Sequence, residues 1–494
     1  MRRRFALLGL LPPLVAAAPR PACADGPDVA RFDVGGRIRA VRARALDGDG
    51  RADLIVIVDR RDGEGPPACD VLVIRSPKEP APATFVREES VVRIPCSGAV
   101  AGPRASAGGL AIGRFGPEGE PRLRFLGPKA GPDLRPDAGP AAEPPPTPSS
   151  LERTPGEALA FFDGVADLTG EGRDACFAPD ADGTIRLPGI TIAPTETGSR
   201  TDDELFVRAS HVPRLTAADL DGDGRLELLH VDGATLVVER AGAAAPDRVK
   251  LPFLVPDPAR PPEQLRAPRL SIADVDGDKK ADLLVTLITG RADKLGGLRT
   301  SLYVFLGPFY AKDTGALIEP SSRLDTESVA LHPRFVDLDG DGDLDYVADS
   351  IRGNLLDLVK RVTGTEPTIW HTVFRFDAKA RAFEREPACD VERPYSGAQA
   401  RSNAFGRSGW FEGDFDGDGL RDLLDLGNLT RAVVLRGTKD DRTFRTQLGP
   451  TLAAPSGETF AADAVIADLD GDGKSDAVLW TERTLYFLRT KGGG

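Results

Sequence analysis

Apolar residues fall in short runs along the chain, and Gly, Pro or Asp punctuates them. The pattern is clearest around Asp219. Leu215 to Leu220 runs into an acidic stretch and Leu226 to Val231 leaves it, followed by Ala234 to Glu239 and Arg248 to Leu254. The order recurs with Leu423 to Leu426, Arg431 to Leu435 and Thr443 to Leu448. No helical period is sustained, so the pattern predicts short strands, four to a unit. A four-stranded sheet that is apolar on both faces cannot bury itself, whereas sheets packed face to face around a ring can. The fold expected is therefore all-β, a single β-propeller of four-stranded blades. After the last acidic stretch only Ala477 to Thr481 and Thr484 to Arg489 remain. Asp28 to Val34 is expected to supply a missing strand there and close the ring.

The acidic stretches repeat. Asp219 to Glu227 reads D-L-D-G-D-G-R-L-E, Asp274 to Asp282 D-V-D-G-D-K-K-A-D, and Asp337 to Asp345 D-L-D-G-D-G-D-L-D. Asp414 to Asp422 reads D-F-D-G-D-G-L-R-D and Asp468 to Asp476 D-L-D-G-D-G-K-S-D. Two weaker copies, at Ala45 to Asp53 and Asp167 to Ala175, lack some of the acids. Seven recognisable copies favour seven blades. Ile112 to Leu123, I-G-R-F-G-P-E-G-E-P-R-L, lies near the middle of the long step between the two weak copies and leaves eight open.

Each intact copy carries carboxylates at its first, third, fifth and ninth positions. Calcium takes about 6–8 oxygen ligands, mostly carboxylates and backbone carbonyls. The candidate ligands are Asp219, Asp221, Asp223 and Glu227; Asp274, Asp276, Asp278 and Asp282; Asp337, Asp339, Asp341 and Asp345; Asp414, Asp416, Asp418 and Asp422; and Asp468, Asp470, Asp472 and Asp476. The seventh residue, Arg225, Lys280, Asp343, Leu420 or Lys474, adds a backbone carbonyl. Asp47, Asp49 and Asp53 form a weaker site in the first copy, and the copy at Asp167 keeps too few acids to hold an ion well. Glycine at the fourth and sixth positions allows the positive φ of a tight wrap, and Lys279 breaks that rule. The apolar second residue should point into the sheet. Asp-Gly alone also signals a hairpin turn, but five copies with all four acids in register call for a cation. An EF-hand is excluded by the strand-like flanks and by the absence of Glu at the twelfth position.

The repeated D-x-D-G-D-G-x-x-D between short strands resembles the FG-GAP/VCBS repeat family, best known from the propeller of integrin α subunits. The resemblance spans nearly all of the chain after the N-terminus. It implies calcium in the loops, a propeller usually of seven blades, and a role in adhesion or recognition, although some relatives are carbohydrate lyases.

Composition adds limits. The 76 acidic and 63 basic side chains give a net charge of −13, which argues against a nucleic-acid partner. No apolar run beyond the N-terminus is long enough for a transmembrane helix. Residues 1–24 read as an export signal: Arg2 to Arg4, an apolar run from Phe5 to Ala18, then Ala22-Cys23-Ala24. Residues 25–494 then form the propeller, interrupted by a Pro/Ala-rich insertion at about 128–156. The location expected is secreted, periplasmic or cell surface. There a disulfide between Cys69 and Cys96 is expected, because antiparallel pairing of Asp70 to Arg75 with Ser90 to Ile94 would bring them together. Cys176 and Cys389 are left unassigned. The four His and three Trp show no catalytic spacing, and Trp370-His371 is their one adjacent pair. The reading is a monomeric, non-catalytic calcium-binding scaffold with a protein or glycan ligand of unidentified class; the alternative is a carbohydrate-active enzyme such as a polysaccharide lyase.

Overall fold

Each of the first four intact acidic stretches is a loop between the first two strands of a four-stranded antiparallel sheet. The computed structural model describes residues 28–44, 51–60, 68–76, 215–254, 268–290, 299–352, 368–394, 409–427, 429–438 and 446–489, with Phe444 and shorter segments between 86 and 211. The export-signal residues and the Pro/Ala-rich insertion lie outside the described residues. The Asp219 sheet is built from Thr216–Ala218, Glu227–Asp232, Thr235–Glu239 and Asp247–Lys250. The Asp274 sheet uses Arg269–Ala273, Asp282–Thr289, Arg299–Phe305 and Ser322–Thr326. The Asp337 sheet uses Ser328–Val336, Asp345–Arg352, Thr368–Phe374 and Cys389–Pro394, and the Asp414 sheet Gly409–Gly413, Asp422–Asp425, Arg431–Leu435 and Gln447–Ala453. There is no α-helix among the described residues, and no helix is long and apolar enough to cross a membrane.

The strand leaving each loop is apolar on both faces, and the packing shows why. Side chains alternate across a strand. Leu283 and Val285 pack on the Asp219 sheet, whereas Leu284 between them packs on the Asp337 sheet. Leu423 packs toward the Asp337 sheet and Leu424 toward the sheet of Asp468. Ala477 and Leu479 face the Asp414 sheet while Val478 and Trp480 face the sheet of the first copy. Every core in this series is therefore shared by two successive sheets. The second loop residue belongs to it as expected: Leu220, Val275, Leu338, Phe415 and Leu469 are all buried.

The two ends of the chain share one sheet. Asp28–Asp33 pairs antiparallel with Thr484–Arg489, completing a sheet with Val465–Ala467 and Asp476–Trp480. That sheet packs on the first copy's sheet through Trp480, Leu485 and Phe487 against Val41, Leu54 and Val56. The last sheet thus rests on the first.

The segment around Gly113 forms a sheet of its own. Leu110–Gly113 is an inner strand of a separate four-stranded sheet, between Ala99–Ala101 and Leu123–Leu126, with Phe161–Phe162 on the far side. Its outer pair, Phe161–Phe162 with Ala99–Ala101, is parallel, and it lacks the acidic motif, which is why a search for carboxylates passes over it. The strand pairing behind the cysteine argument is present, with Cys69 opposite Ile94. Cys69 is buried and disulfide-bonded; Cys96 lies outside the described residues.

The closing sheet should carry a large share of stability. Leu485 is fully buried, so Leu485→Ala is expected to cost about 2–5 kcal/mol in denaturant unfolding. Val29, on the exposed side of the strand from the other end, should change stability by no more than about 0.5 kcal/mol when replaced by Ala.

Candidate metal centres

The loops are folded by their own carboxylates. In four of the five loops the first Asp caps the turn with both oxygens. In the Asp219 loop Gly222 N donates to Asp219 Oδ1 at 2.7 Å and Gly224 N to Oδ2 at 2.8 Å. The loops at Asp337, Asp414 and Asp468 repeat both bonds. The fifth acid accepts from the N–H of the seventh residue in all five loops: Asp223 from Arg225, Asp278 from Lys280, Asp341 from Asp343, Asp418 from Leu420 and Asp472 from Lys474. The ninth acid accepts from the N–H of the second residue, as in Phe415 N to Asp422 Oδ2 at 2.6 Å. Its other oxygen reaches the end of the third strand, where Gly307 N donates to Asp282 and Gly437 N to Asp422. Asp53 of the first copy does the same with Ser76 N; Asp47 and Asp49 lie outside the described residues.

Lys279 stands where the other four loops have glycine. It nevertheless takes φ +68°, and its N–H still closes on Asp274 Oδ2 at 2.8 Å. The loop keeps its shape and carries the strain of a left-handed non-glycine residue.

Convergence involves three acids per loop rather than four. The first, third and ninth acids bring one oxygen each within 4.8 Å of one another in Asp219/Asp221/Glu227, Asp274/Asp276/Asp282, Asp414/Asp416/Asp422 and Asp468/Asp470/Asp476. The fifth acids Asp223, Asp278, Asp418 and Asp472 are not in these groups. In the remaining loop the group is Asp337/Asp339/Asp341, and Asp345 is left out. There Arg375 Nη1 lies 2.5 Å from Asp345 Oδ2 while Phe376 N holds Oδ1. Such oxygen clusters can hold a metal ion, and one test of fit comes from polar atoms left over. Asp274 Oδ1, Asp276 Oδ1 and Asp339 Oδ1 are buried without a hydrogen-bond partner, although buried oxygens ordinarily have one. The donors are all carboxylates, the hard ligands that suit a hard cation.

Burial sets the electrostatics. It is the largest cause raising Asp282, Asp422 and Asp476 to a pKa of about 7, with like charge from their own loops adding to it. Asp345 rises only to about 6 because Arg375 offsets part of the burial.

Adjacent loops are linked. The N–H of the eighth residue bonds a carbonyl of the preceding loop: Ala281 to Asp219, Leu344 to Val275, Arg421 to Leu338 and Ser475 to Asp414. Ala52 to Asp468, at 3.3 Å, carries the series from the last loop to the first. The fourth glycine sits at this seam. A β-carbon on Gly340 would lie 2.8 Å from Gly419 O of the next loop, whereas one on Gly342 would meet nothing within 4 Å.

A set of arginines escaped the motif reading. Register places Arg240, Arg375, Arg436 and Arg489 directly across from the ninth-position acids, each one residue past the pair that follows the acid. The signal in sequence is an Arg closing the third strand; Leu306 takes that place in the Asp274 sheet. The Trp370-His371 pair lies in strand Thr368–Phe374. His371 is fully buried, with Nδ1 2.6 Å from Asp349 Oδ1.

No family model matches the chain, and a search of curated proteins finds no match. Among solved structures the chain is similar to the V. cholerae biofilm matrix protein Bap1, with TM-score 0.40 and 12% identity over 94% of this chain and 88% of that one. It is also similar to BBS1N in a complex with ARL6DN, with TM-score 0.39 and 9% identity over 94% and 96%. Likenesses at this level carry no argument about function.

Two outcomes are expected. Gly342→Ala should cost about 1–2 kcal/mol for its positive φ. Gly340→Ala should cost clearly more because it also strikes the next loop; equal losses would remove the seam as a constraint. In chelator, Asp282, Asp422 and Asp476 bind their protons more tightly folded than unfolded. Their contribution therefore falls as pH rises from about 4 to about 7. The melting temperature in chelator should be higher at pH 6 than at pH 8, and excess calcium should remove that difference.

Proposed function

We propose that the chain is an exported calcium-binding β-propeller of FG-GAP/VCBS type that serves as a non-catalytic recognition or adhesion scaffold. The observation that carries this reading is the recurrence of a three-carboxylate cluster in the corresponding loop of five successive sheets. Like charges held this close repel, and a cation relieves them. Calcium suits an irregular loop of carboxylates and carbonyls better than magnesium, which demands near-octahedral geometry. The sharing of every core between neighbouring sheets, and the strand pairing of the two chain ends, support a ring of blades. The separate sheet around Gly113 favours eight blades over seven. Such a ring presents a rigid row of loops on one side, a form suited to recognition. The propeller is read as a single domain, and export rests on the N-terminal sequence.

Native mass spectrometry during calcium titration should count five ions on the intact loops, with a weaker one at the Ala45 copy, and the melting temperature should fall in chelator. One ion or none, with melting indifferent to chelator, would sink the calcium reading. A panel of polysaccharides incubated with and without calcium should remain uncleaved; depolymerisation would favour the lyase alternative.

A further inference from the structure

All five third-position carboxylates lie against a basic side chain from outside their own loop. Lys312 Nζ is 3.9 Å from Asp221 Oδ2, and Arg381 Nη2 is 2.7 Å from Asp276 Oδ2. Arg375 Nη1 is 3.4 Å from Asp339 Oδ2, Arg436 Nε is 2.7 Å from Asp416 Oδ2, and Arg489 Nη1 is 3.7 Å from Asp470 Oδ2. The cations have different origins. Arg375, Arg436 and Arg489 close the third strand of the same sheet, Lys312 follows the third strand of the next sheet, and Arg381 lies on a turn of the next sheet. Recurrence from unlike positions argues that the loops require the charge, not that one repeat was copied.

We propose that these side chains are built-in counter-cations that hold the metal-free loops, and that their freedom to leave sets the order in which the loops take up a divalent cation. The proposal rests on reading the loops as calcium sites. A divalent ion and a guanidinium on one carboxylate repel each other, so the side chain must withdraw as the ion enters. Lys312, Arg381 and Arg436 are 63%, 56% and 43% exposed and can rotate into water. Arg375 and Arg489 are only 12% and 9% exposed, and no such path is open to them. Arg375 is also held by Asp345. Neither side chain can swing into water, so each stays beside an entering dication, and like charges that close repel. Arg240, near Glu227, is already neutralised by Asp247, which hydrogen-bonds it and Tyr310. It therefore does not place the Asp219 loop among those that fill last. The loops at Asp219, Asp274 and Asp414 should fill first, and those at Asp337 and Asp468 last.

Calcium titration of the full chain by native mass spectrometry tests this, with Asp49→Asn removing the weak first-copy site. The expected result is three ions in a tighter class and two in a weaker one, separated by about tenfold in Kd. Arg489→Gln should move one ion from the weaker class to the tighter, giving four and one, and should lower the melting temperature in chelator. Arg436→Gln should leave the three-and-two split in place. Five ions filling as one class in the parent chain would overturn the proposal, and this outcome needs no folded variant. So would an unchanged split in Arg489→Gln. Absence of any bound ion would instead remove the calcium reading on which the proposal rests.

Discussion

The structure depends on the need to cover both faces of narrow sheets. A central strand such as Asp282–Thr289 is buried on both sides, so it is stable only between two neighbours. That requirement passes from sheet to sheet and ends where Asp28–Asp33 and Thr484–Arg489 pair. The acidic loops follow from it. Each connects the first and second strands at one end of the sheet, so stacking the sheets brings successive loops side by side. Their backbones then meet closely enough for the eighth N–H to reach the preceding loop. Crowding of the loops is thus a consequence of core packing, and the fourth glycine is the residue type that this crowding permits.

Much of this was legible in the sequence. Strand runs around Asp219 match the observed strands to within a few residues, and the closing strand was foreseen from a missing partner after Asp476. Fixed nine-residue spacing gave the loops directly, because the bonds made within a loop join residues at most seven apart. What spacing could not give was the partners from outside. Arg240 and Arg489 each lie 21 residues after the first Asp of their loops, but Arg375 lies 38 after Asp337. The intervening hairpin varies in length while the register does not, so the cross-strand match shows only when strands are paired. The sheet around Gly113 was missed as a definite unit for a related reason: repeat detection followed the acids, and the fold follows the apolar strands.

The ninth acid shows how structural and chemical roles combine at one residue. Asp422 ties the second loop residue to the end of the third strand through two backbone N–H groups, and it belongs to the oxygen cluster as well. A carboxylate has lone pairs for both tasks. Burial makes its charge costly, and the backbone donors oppose that cost without cancelling it, which leaves the group poised near neutrality. Asp345 shows what a nearby cation adds to the balance. There Arg375 supplies a full positive charge and the carboxyl is raised less. In such a fold a divalent ion would act on a loop whose shape backbone hydrogen bonds already set, replacing internal positive charge instead of creating order from a disordered chain.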